Sequence, residues 1–113
     1  MRRTKYSDPQ PTRAESKNIY GMNSSTSGAF SEFIVCVDLM KRGYEVFRAV
    51  SPANSCDLIA LKPGAMKRIE VRTGNYSKGK ISFAKKIEDE GRSDHYAVVV
   101  EDRVAFYKPL LQQ

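Results

Sequence analysis

Histidine and cysteine are scarce in this chain. Of 113 residues, one is histidine (His95) and two are cysteine (Cys36 and Cys56). There is no Cys-x-x-Cys pair and no histidine cluster, which excludes a zinc site of the usual ligand spacing. Cys36 falls in an apolar helical run and Cys56 at a strand start, so they read as two reduced thiols of a cytoplasmic protein. His95 stands at the start of the most apolar strand and reads as a structural residue, not a catalytic base. Long hydrophobic runs are missing as well. No stretch approaches the ~18 apolar residues that span a bilayer, so no membrane partner is expected. The basic opening Met1–Tyr6 has no apolar segment after it, which argues against a signal peptide. No internal repeat is present. Acidic residues are the minority, 13 against 19 Lys and Arg, for a net charge of +6. That balance favours an anionic partner, and nucleic acid is the commonest one.

What remains is the composition of a globular domain, 41% hydrophobic and 28% charged, in a chain long enough to bury a core without disulfides. Residues 1–20 are polar and basic, with Pro9 and Pro11, and read as a flexible tail able to touch a phosphate backbone. Residues 21–113 read as a single domain. Asn23-Ser-Ser-Thr-Ser offers helix N-caps, and Gly43 offers the left-handed C-terminal stop. Between them Phe30, Phe33, Ile34, Val37 and Leu39/Met40 predict the buried stripe of a helix. Strands are predicted at Tyr44–Val50, Ser55–Leu61, Lys67–Thr73, His95–Glu101 and Val104–Lys108. Between the third and fourth, Gly74–Lys80 reads as a loop, Ile81–Phe83 as a short extended piece and Ala84–Glu90 as a short helix. Tyr96, Phe106 and Tyr107 read as core.

The strands at 55–61 and 67–73, joined by a Lys62-Pro-Gly-Ala-Met turn, form a hairpin with three charged residues in it. Asp57 opens the first strand. Glu70 and Arg72 are two apart in the second, so they share a face, while Ile69 and Val71 point to the core. A carboxylate inside an apolar strand is costly unless paired or bound to a metal, and two adjacent carboxylates repel unless a cation lies between them. Asp57, Glu70 and the Val71 carbonyl are oxygen ligands of the kind Mg²⁺ takes. Such an ion polarises a phosphoryl oxygen and acidifies a bound water, and Arg72 beside it would stabilise charge growing on a phosphate. The alternative is an ordinary ion-pair network on a solvated face. Glu32, on the predicted helix, is either a solvated acid or an inward-facing partner of these carboxylates.

An acid opening one strand, a turn, Glu-x-Arg in the next strand and a preceding helix with a glutamate together resemble the PD-(D/E)xK nuclease superfamily from about Ser24 to Lys108. The small archaeal Holliday-junction resolvases and restriction-like endonucleases are the closest in flavour. The resemblance implies an α/β fold: a restriction endonuclease-like α-β-β-β-α-β core with a central mixed sheet flanked by helices. It also implies a divalent metal (Mg²⁺ or Mn²⁺), a DNA substrate and a homodimer. By it, Asp57 and Glu70 would be metal ligands, Glu32 would support the metal or its waters, and residue 72 would orient or activate the attacking water. Two positions depart from the pattern. Cys56 stands where the pattern has Pro, and Arg72 where it has Lys. Arginine cannot serve as a general base, so water activation passes to the metal or to a lysine from elsewhere. Lys85, on the short helix, is preferred to Lys86 or Lys62. Arg48, Tyr76, Lys78 and Lys80 are candidate DNA contacts. The expected function is a metal-dependent DNA endonuclease. The alternatives are a catalytically weakened or inactive DNA-binding module of the same fold, or a nuclease subunit of a larger complex.

Overall fold

The computed structural model describes residues 20–51, 56–84 and 91–112. Among these residues one helix, α1 (Ser24–Lys41), is followed by seven strands: β1 (Glu45–Arg48), β2 (Leu58–Lys62), β3 (Ala65–Thr73), β4 (Asn75–Ser77), β5 (Lys80–Ser82), β6 (His95–Val100) and β7 (Arg103–Lys108). Five strands make one sheet in the order β1-β2-β3-β6-β7, and β4-β5 form a separate two-stranded ribbon. The β3–β6 pair is parallel and the other pairs are antiparallel. This is the mixed sheet and the helix-then-three-strands order expected from the sequence. The expected short helix lies, apart from Ala84, outside the described residues.

The helix ends where its chemistry dictates. Asn23 caps the start, its side-chain oxygen accepting from the Thr26 N–H at 2.9 Å. Gly43, at φ +93°, turns the chain out of the last turn, a conformation that costs glycine nothing. Tyr44 N then bonds back to the Leu39 carbonyl, 3.1 Å away.

The face that α1 buries differs from the expected stripe. Ser31, Val35, Cys36 and Leu39 are buried, whereas Phe33 and Met40 are each 55% exposed and Val37 is exposed as well. The run from Phe33 to Val37 is wholly apolar, so periodicity alone does not set the helix phase. The sheet sets it. Ser31 is buried because its hydroxyl meets the Thr73 hydroxyl at 2.7 Å. Phe33 instead has the Arg48 guanidinium over one side of its ring, 4.9 Å from the ring centre.

Val35, Cys36 and Leu39 pack on Leu58, Ala60, Ile69, Val71, Ala97, Val99 and Tyr107. Each of the larger of these side chains contributes about 1.5–3 kcal/mol by leaving water. Strand alternation then sends Glu70, Arg72, Tyr96 and Val98 to the opposite face. There Phe83 packs against Tyr96 and Phe106, with ring centres 5.7 and 5.9 Å apart.

Strand boundaries also differ from expectation, most of all around the hairpin and the segment after it. Leu58, not Ser55, begins β2, so Asp57 sits just before the strand. The strand β3 begins at Ala65, because only Pro63 and Gly64 are needed for the turn. The segment 74–80 is mostly strand: Lys78 (φ +52°) and Gly79 (φ +77°) form the two-residue tip of the β4–β5 ribbon, a backbone that matches the twist of a tight hairpin. Gly74 anchors the ribbon, buried with its N–H on the Val99 carbonyl at 2.8 Å.

Candidate active site

The hairpin acids lie across from each other where β2 begins. Leu58 pairs with Ile69, and continuing that register by one residue puts Asp57 opposite Glu70. Asp57 ties itself to β3 twice. Its N–H bonds the Ile69 carbonyl at 3.1 Å, and its Oδ2 accepts from the Val71 N–H at 2.8 Å. The carboxylate thus takes the ladder position that a further strand residue would have supplied, which is why the strand starts one residue later.

Glu70 is buried, with only 9% of its surface exposed. Its Oε2 accepts from Arg72 Nη1 at 2.7 Å. The same nitrogen donates to the Val71 carbonyl at 3.0 Å, and Arg72 Nε donates to the Ala84 carbonyl at 3.1 Å. The guanidinium carbon lies 5.6 Å from the centre of the Tyr96 ring, and Tyr96 is the register partner of Glu70 across the parallel β3–β6 pair. Behind the acids, burial pushes the Cys56 thiol up, and the Glu70 charge adds to the shift. Cys56 therefore stays a neutral thiol, its Sγ 3.5 Å from the Leu58 carbonyl.

Glu32 is placed elsewhere. Its Oε1 accepts from Arg48 Nη2 at 3.0 Å and Nε at 3.2 Å, at a half-exposed edge where α1 meets β1. Among the described residues no three His, Cys, Asp or Glu side chains gather into a group that could hold a metal ion. Glu32 therefore does not join Asp57 and Glu70 in a three-acid cluster, and Arg48 is an ion-pair partner on a partly exposed surface. Lys62 is ruled out as a substitute lysine. It caps the other end of the hairpin, its Nζ on the Arg42 carbonyl at 3.2 Å and over the Tyr44 ring at 4.1 Å. It lies five residue steps along the chain from Asp57, about 16 Å at the usual rise. Lys85 and Lys86 lie outside the described residues. Tyr76, Lys78 and Lys80 are all exposed on the β4–β5 ribbon. His95 is buried, its Nδ1 2.8 Å from the Pro109 carbonyl oxygen, in the structural role expected of it.

Two parts of the site are not foreseen from the sequence, Tyr96 beneath Arg72 and the Ala84 carbonyl that holds it. Only the parallel β3–β6 pairing brings Tyr96 beside Glu70, and hydrophobic pattern carries no signal for that pairing.

As a donor set, the Asp57 and Glu70 carboxylates and the Val71 carbonyl are all hard oxygens, which suits Mg²⁺ or Mn²⁺ better than a soft metal. Two of those oxygens are also the ones that Arg72 Nη1 touches. Among the described residues no helix is long and apolar enough to cross a membrane.

Residues 22–108 match the model of a family described as PD-(D/E)XK endonuclease. Among solved structures the chain is similar to a bacterial homing endonuclease, I-Ssp6803I, with a TM-score of 0.61 and 16% sequence identity. The match covers 70% of this chain and 59% of that one, so the chain spans less than two thirds of that protein's length. No curated protein matches the sequence.

Proposed function

Because the chain belongs to the PD-(D/E)XK endonuclease family, we propose that it is a divalent-metal-dependent endonuclease that hydrolyses phosphodiester bonds in DNA, of a resolvase-like or restriction-like kind. The observation that carries this reading is the hydrogen bond from Val71 N–H to Asp57 Oδ2, which secures one acid beside the position of the other. Asp57, Glu70 and the Val71 carbonyl would hold Mg²⁺ or Mn²⁺. When bound, the ion supplies Lewis-acid polarisation of the phosphate and a more acidic water.

Arg72 remains charged at any working pH, so it offers hydrogen bonds to a phosphate and takes no proton. Proton removal is assigned to Lys85, outside the described residues. Glu32 acts through Arg48, steadying the β1 edge. Tyr76, Lys78 and Lys80 on the ribbon, together with Arg48, contact the DNA backbone. Residues 21–113 form the nuclease domain, and residues 1–20 are a basic tail that tracks phosphates. The enzyme works in the cytoplasm, where Cys36 and Cys56, both free and buried, stay reduced. It works as a homodimer, since cutting both strands needs two sites.

The test is cleavage of supercoiled plasmid and four-way-junction DNA with Mg²⁺ or Mn²⁺. Wild type cuts, and Glu70→Ala or Asp57→Ala loses about 100-fold or more, the scale of removing one charged element of a site. Equal products from wild type and Glu70→Ala sink the proposal.

A second reading, a weakened DNA-binding domain, is favoured by the Arg72–Glu70 ion pair. Under it the protein binds DNA without cutting, and Arg72→Lys raises cleavage.

A further inference from the structure

We infer that Arg72 is the resident cation of this site and competes with a divalent ion for Glu70 Oε2 and the Val71 carbonyl oxygen. The inference rests on the nuclease reading and concerns how that site is loaded. One nitrogen, Nη1, spans both oxygens, at 2.7 and 3.0 Å. The side chain is not swinging freely there. Its Nε is held by the Ala84 carbonyl, its guanidinium lies over the Tyr96 ring, and only 17% of the side chain is exposed. An ion bonded to Glu70 Oε2 at about 2.1 Å would lie within about 5 Å of Nη1, a charge of the same sign.

The charge count points the same way. Asp57 and Glu70 balance one divalent ion. With Arg72 seated on Glu70, the trio carries one net negative charge, so the attraction for a dication is roughly halved. A lysine at this position would place a single ammonium, with no second nitrogen for the Ala84 carbonyl. The fork is what holds Arg72 in the seat.

The competition is read by calorimetric titration of the protein alone with Mg²⁺, without DNA. Arg72→Gln binds Mg²⁺ at least tenfold more tightly than wild type, about what removing a unit charge ~5 Å from a dication yields even at the dielectric of bulk water, and so the minimum expected. Adding Glu70→Gln to Arg72→Gln abolishes the gain. Circular dichroism melts check that each variant is folded. If Arg72→Gln is not, Arg72→Met, which keeps the stem over Tyr96, is read in the same way. Equal Mg²⁺ affinity in wild type and the folded Arg72 variant overturns the inference. So does a gain that survives Glu70→Gln. Plasmid cleavage by wild type that is lost in Glu70→Ala upholds the nuclease reading even if the calorimetry goes against Arg72. Failure there is the failure of that reading alone.

Discussion

Replacing Gly74 by alanine tests the packing that fastens the β4–β5 ribbon to the sheet, three residues after Val71. A Cβ at Gly74 would lie 2.9 Å from Val98 Cγ1, 3.0 Å from the Ser82 carbonyl oxygen and 3.3 Å from Ile81 Cγ2. Comfortable carbon–carbon contact begins near about 3.5 Å, so the Val98 methyl must retreat by about 0.6 Å. Val98 is fully buried, and Ser82 is fixed by its ladder with Asn75, so neither neighbour moves cheaply. Overpacking of this kind costs about 1–3 kcal/mol. The lower entropy of the unfolded alanine chain offsets about 0.4–1 kcal/mol of that. The net loss is about 0.5–2 kcal/mol, a fall in Tm of about 3–10 °C for a domain of this length. Gly28 is the control. It lies inside α1 with nothing within 4 Å of the place an added methyl would take, so Gly28→Ala stabilises by about 0.5–1 kcal/mol. Thermal melts followed by circular dichroism compare the two. If Gly74→Ala melts at or above wild type while Gly28→Ala rises, the ribbon does not pack on Val98 as described.

Tyr107→Phe removes the hydroxyl that donates to Asp38 Oδ2 at 2.5 Å, an oxygen that Arg42 Nε also meets at 3.0 Å. Burial and the Asp38 carboxylate push the phenol far up, so it is a donor at every working pH. The loss is about 1.5–3 kcal/mol in urea melts, and the cost in an Asp38→Asn background is smaller, because the two side chains act together. Asp94→Asn addresses the grip of Arg68 on Asp94, through its backbone N–H at 2.7 Å and its Nη2 at 3.0 Å. Hydrogen bonds from Arg68 hold this carboxyl below its usual 3.8, so its contribution is complete at neutral pH and fades as pH falls below that value. Wild type and Asp94→Asn therefore differ in urea midpoint at pH 7 and converge as the medium is made strongly acidic. Lys78→Ala and Lys80→Ala, on the exposed ribbon, each weaken binding to unrelated duplexes and lower the slope of log affinity against log salt by about 1 in fluorescence titrations. Unchanged slopes in both remove the ribbon from the DNA interface.

How far the sequence carries depends on which period it is read with. In β3 the two-residue period leaves no freedom. Once Ile69 and Val71 are inside, Glu70 and Arg72 must share the other face, and they do. In α1 the 3.6-residue period is ambiguous, because Phe33, Ile34, Val35, Cys36 and Val37 are all apolar. The side that wins is marked by a serine, through a hydroxyl pair with Thr73 that no hydropathy pattern reveals. The ends of the helix are legible because caps are local chemistry, Asn23 at one end and Gly43 at the other. The ribbon is hidden for the opposite reason. Gly, Asn, Ser and Lys serve a loop and a tight hairpin equally well, and only the docking of Gly74 on Val98 decides between them. Glu32 shows the limit for the site itself. Sequence supplies the acid, but the nearest cation across the α1–β1 boundary claims it.

The order of the site comes from the backbone more than from its acids. Asp57 is held by two main-chain groups of β3, and Arg72 by the carbonyls of Val71 and Ala84. Both side chains are positioned before any ligand arrives, and Glu70 is where they converge in charge. In a site built this way the cation on Glu70 Oε2 is a negotiable partner. Lysine and arginine at position 72 carry the same charge, yet they differ on this point. An ammonium on a flexible stem can leave the carboxylate and act on a proton. A planar fork bonded at both ends keeps its seat and its proton. The same geometry that orders the site therefore limits what it can do without a ligand strong enough to displace Arg72. A divalent ion and a phosphodiester both carry the charge to do so, one by competing for Glu70 and the other by competing for the guanidinium.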